Sequence, residues 1–140
     1  MTLIVKTVTR LTVGLILLFA LYITLRGCMA YGGGFTGGVM IALSFIHIVL
    51  AYGKKETLKL FSMKSAFAVM SGSALIFMML GASGFFKGGI FANYMEKSGG
   101  GAILCGGLMP IYNILVALLV GSALFAVFVA LVSYKKEDKK

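Results

Sequence analysis

His47 is the single histidine of this 140-residue chain and its one ionisable side chain set well inside an apolar run. Ser44 lies three residues before it and Ala51 four after, so on a helix all three share a face. An ionisable group at such depth in lipid marks a proton or sodium route in many membrane proteins. It reads equally as a neutral imidazole bonded to one carbonyl, because no carboxylate shares its run to complete a relay. Tyr112 and Asn113, where the last apolar run begins, are the other polar candidates for an ion path. Their plainer reading is capping or hydrogen bonding near the membrane face.

No catalytic set accompanies these groups. Glu56, Glu96, Glu137 and Asp138 all fall between or after the apolar runs. One histidine and two cysteines without CxxC spacing leave no metal site and imply no cofactor. Cys28 and Cys105 read as free thiols packed like small apolar residues, and spacing alone leaves a disulfide between them open. By itself the chain is not expected to be an enzyme.

The most distinctive segment is Gly32, Gly33, Gly34, Phe35, Thr36, Gly37 and Gly38. Gly32-x-Gly34-x-x-Gly37 has dinucleotide-fingerprint spacing, but that fingerprint needs a preceding strand in a βαβ unit, and here an apolar run stands on each side. The physical use of these glycines is a tight reversal at the membrane face. Gly37 and Gly38 then open the next run without side-chain bulk, so another helix can approach closely. Small residues four apart recur later: Ala68 with Gly72, Ala117 with Gly121, then Ser122, Ala126 and Ala130. Such ridges suit close helix contact, within the chain or with other subunits.

The elements that must position these groups are membrane helices. Sixty per cent of the residues are apolar and 12% charged, against roughly 25% charged in a typical soluble domain. A soluble fold of this size cannot hide so much apolar surface. The spans expected are 7–25, 35–52, 65–86 and 111–134, in one transmembrane domain with a basic tail at 135–140. Lipid offers the backbone no partners, so each run must be helical. The runs lack the alternation of a transmembrane barrel. The fold class is therefore an all-α membrane protein with four transmembrane helices. Pro110 suits the first turn of the last one. The glycine-rich connection 87–109 precedes it, with Ile103 and Leu104 placed to dip to the interface.

The net charge of +9 fits cytoplasmic lysines better than nucleic acid, since no basic face or nucleic-acid motif is present. Lys6, Arg10, Lys54, Lys55, Lys59, Lys64, Lys135, Lys136, Lys139 and Lys140 fall on one side of the four spans. Arg26, Lys87 and Lys97 fall on the other, so ten of the thirteen basic residues share a side. That bias puts both termini in the cytoplasm of a multi-pass cell-membrane protein. The stretch before Cys28 has the outline of a lipoprotein signal, but Arg26 fits it poorly, and the first run is expected to stay as a helix.

Two segments carry a family resemblance. Arg26-Gly27-x-x-Ala30-x-Gly32-Gly33-Gly34-Phe35-x-Gly37-Gly38 resembles the signature RGHxxPGGGFxGG of the B subunit (MnhB-type) of Mrp-type multisubunit sodium/proton antiporters. Pro110-Ile111-Tyr112-Asn113-Ile114, followed by Val116-Ala117-x-Leu119-Val120-Gly121, resembles that family's last helix, which opens with LYDIGV. Length and span number agree with the family as well. Cys28 stands where the family has histidine, Tyr31 where it has proline, and Asn113 where it has aspartate.

The resemblance implies a small non-catalytic membrane subunit beside larger ion-translocating subunits, in an antiporter or in a related archaeal membrane-bound hydrogenase or sulfur-reductase complex. Its implied partners are those membrane subunits, the lipid bilayer, and sodium ions or protons. Ser44, His47, Tyr112 and Asn113 are then the candidates for lining a path. Gly32, Gly33, Gly34, Gly37, Gly38, Gly72 and Gly121 are the candidates for helix packing. Two other readings stay open: a purely structural scaffold subunit, and a stand-alone small transporter built by homo-oligomerisation.

Overall fold

The computed structural model describes residues 3–27, 32–53, 62–87 and 108–137. Four long helices account for nearly all of them: α1 Leu3–Leu25, α2 Gly33–Tyr52, α3 Met63–Ser83 and α4 Met109–Glu137. Each is long and apolar enough to cross a membrane. Twenty residues of helix, as in α2, rise about 30 Å, the thickness of a hydrocarbon core. Cys28, Cys105, Ile103, Leu104 and the glycines of 88–107 lie outside the described residues.

The helix ends follow local chemistry. Ser62 caps α3, its hydroxyl accepting from the Lys64 N–H at 3.2 Å, which satisfies one of the free donors of the first turn. α2 closes on Gly53, whose N–H reaches the Val49 carbonyl at 2.9 Å. Pro110 falls in the first turn of α4, where its missing N–H costs nothing. α3 stops at Ser83, before the expected position 86, and a single 3₁₀ turn Gly84–Lys87 carries the chain on. α1 begins before the expected position 7 and includes Lys6 and Arg10, whose long stems let their charges reach the interface.

α2 packs on α1 and on α4, and α4 packs in turn on α3. The spatial order is thus α1, α2, α4, α3, with the last helix of the chain standing between α2 and α3. A small apolar cluster of Val49, Ala66, Phe125 and Val129 joins α2, α3 and α4. Phe45 meets Phe125 edge to face, ring centres 5.8 Å apart.

Large apolar side chains point away from the row. Leu11, Leu15 and Leu18 are exposed on α1, and Leu75, Ile76, Met78 and Met79 on α3. Apolar surface this extensive marks contact with membrane or protein. Many small hydroxyls are absorbed by their own helices: Ser71 bonds the Phe67 carbonyl at 2.9 Å and Ser133 the Val129 carbonyl at 2.7 Å. Lys6 sits over the Tyr52 ring at 5.6 Å, so the start of α1 lies beside the end of α2.

Candidate functional site: a glycine seam with polar groups at its two ends

The glycine segment builds two helix contacts at once. Successive helix residues turn by about 100°, so Gly37 and Gly38 face different neighbours. A β-carbon on Gly37 would collide with the Thr24 hydroxyl and lie 3.2 Å from the Ala20 carbonyl oxygen, both on α1. One on Gly38 would lie 2.7 Å from the Ala117 carbonyl oxygen on α4. Thr24 spends its hydroxyl on the Ala20 carbonyl at 2.8 Å, so it offers α2 little but bulk.

On the α4 side the contact runs through residues four apart on each helix. Gly34 and Gly38 face Asn113, Ala117 and Gly121. A β-carbon on Gly34 would strike the Asn113 backbone, and one on Gly121 would lie 3.3 Å from the Gly38 carbonyl oxygen. This is the small-xxx-small arrangement that brings membrane helices to backbone distance. A β-carbon on Gly72, on α3, would meet nothing within 4 Å among the described residues.

Asn113 ends this seam. Its Oδ1 accepts from the Gly34 N–H at 3.3 Å. Its Nδ2 lies where a Gly27 side chain would begin, and its Oδ1 would be 3.4 Å from a β-carbon on Gly33. The carboxamide therefore occupies a niche formed by three glycine backbones. The chain enters α2 with φ of 137° at Gly32 and 61° at Gly33, the left-handed region that glycine alone adopts freely. Gly32 has no side chain to cap α2, and Asn113 supplies an oxygen from another helix instead. Nearby, Tyr112 packs edge to face on Phe77, centres 5.4 Å apart. Arg26 donates to the Tyr22 hydroxyl at 2.8 Å.

Ser44 and His47 lie toward the other end of α2. Ser44 is fully buried and donates to the Met40 carbonyl at 3.0 Å. His47 is half-buried, with Nδ1 3.0 Å from the Leu43 carbonyl. A carbonyl only accepts, so Nδ1 carries the proton in that bond and Nε2 is the nitrogen able to take another. Thirteen residues of helix separate Gly34 from His47, or about 20 Å. The structure therefore brings Asn113 together with Gly27, Gly33 and Gly34, and does not bring it to His47. The Asn113–Gly34 cap is the contact that spacing alone did not specify. The signal for it was a helix start without Ser, Thr, Asp or Asn at its cap.

Fold and seam together define a multi-pass helical membrane protein whose centre is sealed by backbone-close contacts. The family described as "Domain related to MnhB subunit of Na+/H+ antiporter" matches residues 4–126, and the chain belongs to that family. The chain is 37% identical over 84 residues to the B subunit of the Na(+)/H(+) antiporter of Bacillus subtilis (strain 168), covering 60% of this chain and 57% of that one. It is 36% identical over 101 residues to an uncharacterized protein of Methanocaldococcus jannaschii, covering 67% of this chain and 38% of the other. Among solved structures it resembles a chain of the membrane-bound sulfane sulfur reductase, an archaeal respiratory membrane complex. The TM-score is 0.77 at 25% identity, over 91% of this chain and 56% of that one. The chain thus spans between about two fifths and three fifths of the length of these relatives.

Proposed function

We propose that this chain is a non-catalytic membrane subunit of a sodium/proton antiporter-like complex, packed beside larger ion-translocating subunits. The observation that carries this reading is the open row of helices. α1 and α3 are partnered on one side and present leucines, isoleucine and methionines on the other, as a subunit with neighbours in the membrane would. The match over residues 4–126 supports the class. The likeness to a chain of a respiratory reductase supports a host that is either a plain exchanger or a redox-driven machine.

Within that assembly His47 is the group suited to handle a proton. Its Nδ1 is tied to the Leu43 carbonyl, which leaves Nε2 for a neighbouring subunit's path, with Ser44 one turn away. Purification from native membranes through a tag on this chain tests the assembly: larger membrane subunits are expected to co-purify. A lone small oligomer would refute it and favour the stand-alone transporter. His47→Ala in reconstituted complex is expected to lower ion-coupled transport while assembly survives.

The scaffold reading draws on a separate observation: Ser44 and Asn113 both bond backbone groups within this chain. On that reading His47→Ala leaves transport unchanged, and only the seam glycines are sensitive.

A further inference from the structure

α2, α3 and α4 do not close on one another completely. Between them lies a cleft of about 240 Å³. Its walls are Ile41 and Phe45 of α2, Ala66 and Val69 of α3, and Leu118 and Phe125 of α4. Ser65 and Ser122 also line it, but neither offers a ligand a donor. Ser65 bonds the Ser62 carbonyl at 2.7 Å, and Ser122 bonds the Leu118 carbonyl at 2.7 Å. To an occupant the cleft is hydrocarbon throughout, and an apolar space of this kind does not hold water.

We propose that this cleft seats one acyl chain of an anionic glycerophospholipid, whose headgroup rests at Lys64. Three observations select that occupant. The first is chemistry: the walls are apolar side chains, and the two serine hydroxyls that line the cleft already bond carbonyls of their own segments, so an occupant meets hydrocarbon. The second is direction. The cleft runs from Ser65, in the first turn of α3, past Phe125 to Leu118, a depth of about 10 Å along α4. That is the upper part of an acyl chain entering from the interface.

The third is charge. Lys64 is exposed and stands next to Ser65 at the mouth. α4 carries Lys135 and Lys136 at the same end, just beyond the exposed Tyr134, and Tyr52 is exposed at the end of α2. Tyrosine and lysine near helix ends mark the headgroup region, and the Lys64 ammonium at the mouth suits a phosphate. The lipid acts as a wedge that completes the contact of α3 with α2 and α4, whether or not the chain lines an ion path.

The test uses the assembled complex in mixed phosphatidylglycerol and phosphatidylcholine vesicles. One lipid at a time carries a photoactivatable group on its acyl chain, and adducts are mapped by peptide mass spectrometry. Adducts are expected on 65–69 and 118–125, about fivefold more from phosphatidylglycerol, as one lysine at an anionic headgroup provides. Lys64→Gln, at an exposed position, is expected to remove that preference and leave the fold intact. Ser122→Leu or Val69→Phe is expected to remove the adducts by filling the cleft. Equal labelling from both lipids would overturn the headgroup assignment. Absence of lipid adducts, with Ser122→Cys cross-linking instead to another subunit, would overturn the proposal and assign the cleft to a protein side chain.

Discussion

Asn113 Oδ1 accepts a hydrogen bond from the Gly34 N–H at 3.3 Å, so a residue of α4 caps the first turn of α2 across 79 positions of chain. The first turn of any helix has donors with no partner inside it, and near lipid they are costly to leave unmet. Asn113→Ala removes the acceptor and is expected to cost about 1 kcal/mol. Asn113→Asp keeps an oxygen in place, and a carboxylate at a helix N-terminus is favoured, so stability is expected to be retained. Thermal unfolding of the detergent-solubilised complex separates the two variants.

Gly34→Ala and Gly38→Ala each place a β-carbon against α4 backbone. Backbone cannot rotate away as a side-chain tip can, so each is expected to cost about 1–3 kcal/mol and to force the helices apart. Gly72→Ala meets open space and is expected to be neutral or slightly stabilising, as alanine is the better helix former. Yield of intact complex after detergent extraction reads the contrast. Equal yields for Gly34→Ala and Gly72→Ala would contradict the close crossing.

Ser44 is fully buried but bonds only the Met40 carbonyl on its own helix. Ser44→Ala is therefore expected to fall within about 0.5 kcal/mol of the parent, because that carbonyl belongs to the helix ladder. Ion exchange measured in reconstituted vesicles then separates roles. A stable Ser44→Ala complex with impaired exchange would assign the hydroxyl to the path, and unimpaired exchange would leave it as packing.

Phe125 joins the apolar cluster and meets Phe45 edge to face. In water the truncation Phe125→Ala would lose both transfer and cavity terms. In lipid the acyl chains are as apolar as the core, so only the packing share remains. The expected cost is about 2 kcal/mol, below the roughly 3–5 kcal/mol seen for such changes in soluble cores. Equilibrium unfolding in bicelles gives the value directly.

Both ends of the chain are expected on the cytoplasmic face. The contact between Lys6 and Tyr52 places the start of α1 beside the end of α2, the side to which the four-span topology expected from sequence assigns ten of the thirteen basic residues. Protease added to intact cells should spare a tag placed after Lys140. Its removal would reverse the orientation.

The four helices were legible because lipid reduces the secondary-structure problem to one of length and greasiness. Their ends were less so. α1 extends back through Lys6 and Arg10 because flexible cationic stems reach water from inside a helix, and α3 stops at Ser83 because a 3₁₀ turn takes over. The glycine segment read as a site of close approach, and the structure sets Gly37 and Gly38 against different neighbours. That division follows from the helical rotation between adjacent residues once the order of helices is known, and the order is not written in any local pattern. Asn113 stood out as polar near a helix start. Its recipient at Gly34 depends on a crossing register that spacing within α4 does not encode.

The row order α1, α2, α4, α3 has a consequence for how the protein is made. Ribosomes deliver the helix that bridges α2 and α3 after both of them have entered the bilayer, so the first three must wait, incompletely docked, for the fourth. A nascent chain interrupted before that point lacks the helix on which its third segment chiefly packs. Membrane quality-control proteases would meet that segment undocked, which makes the stretch encoding Met109–Glu137 the part of the message that completes the protein.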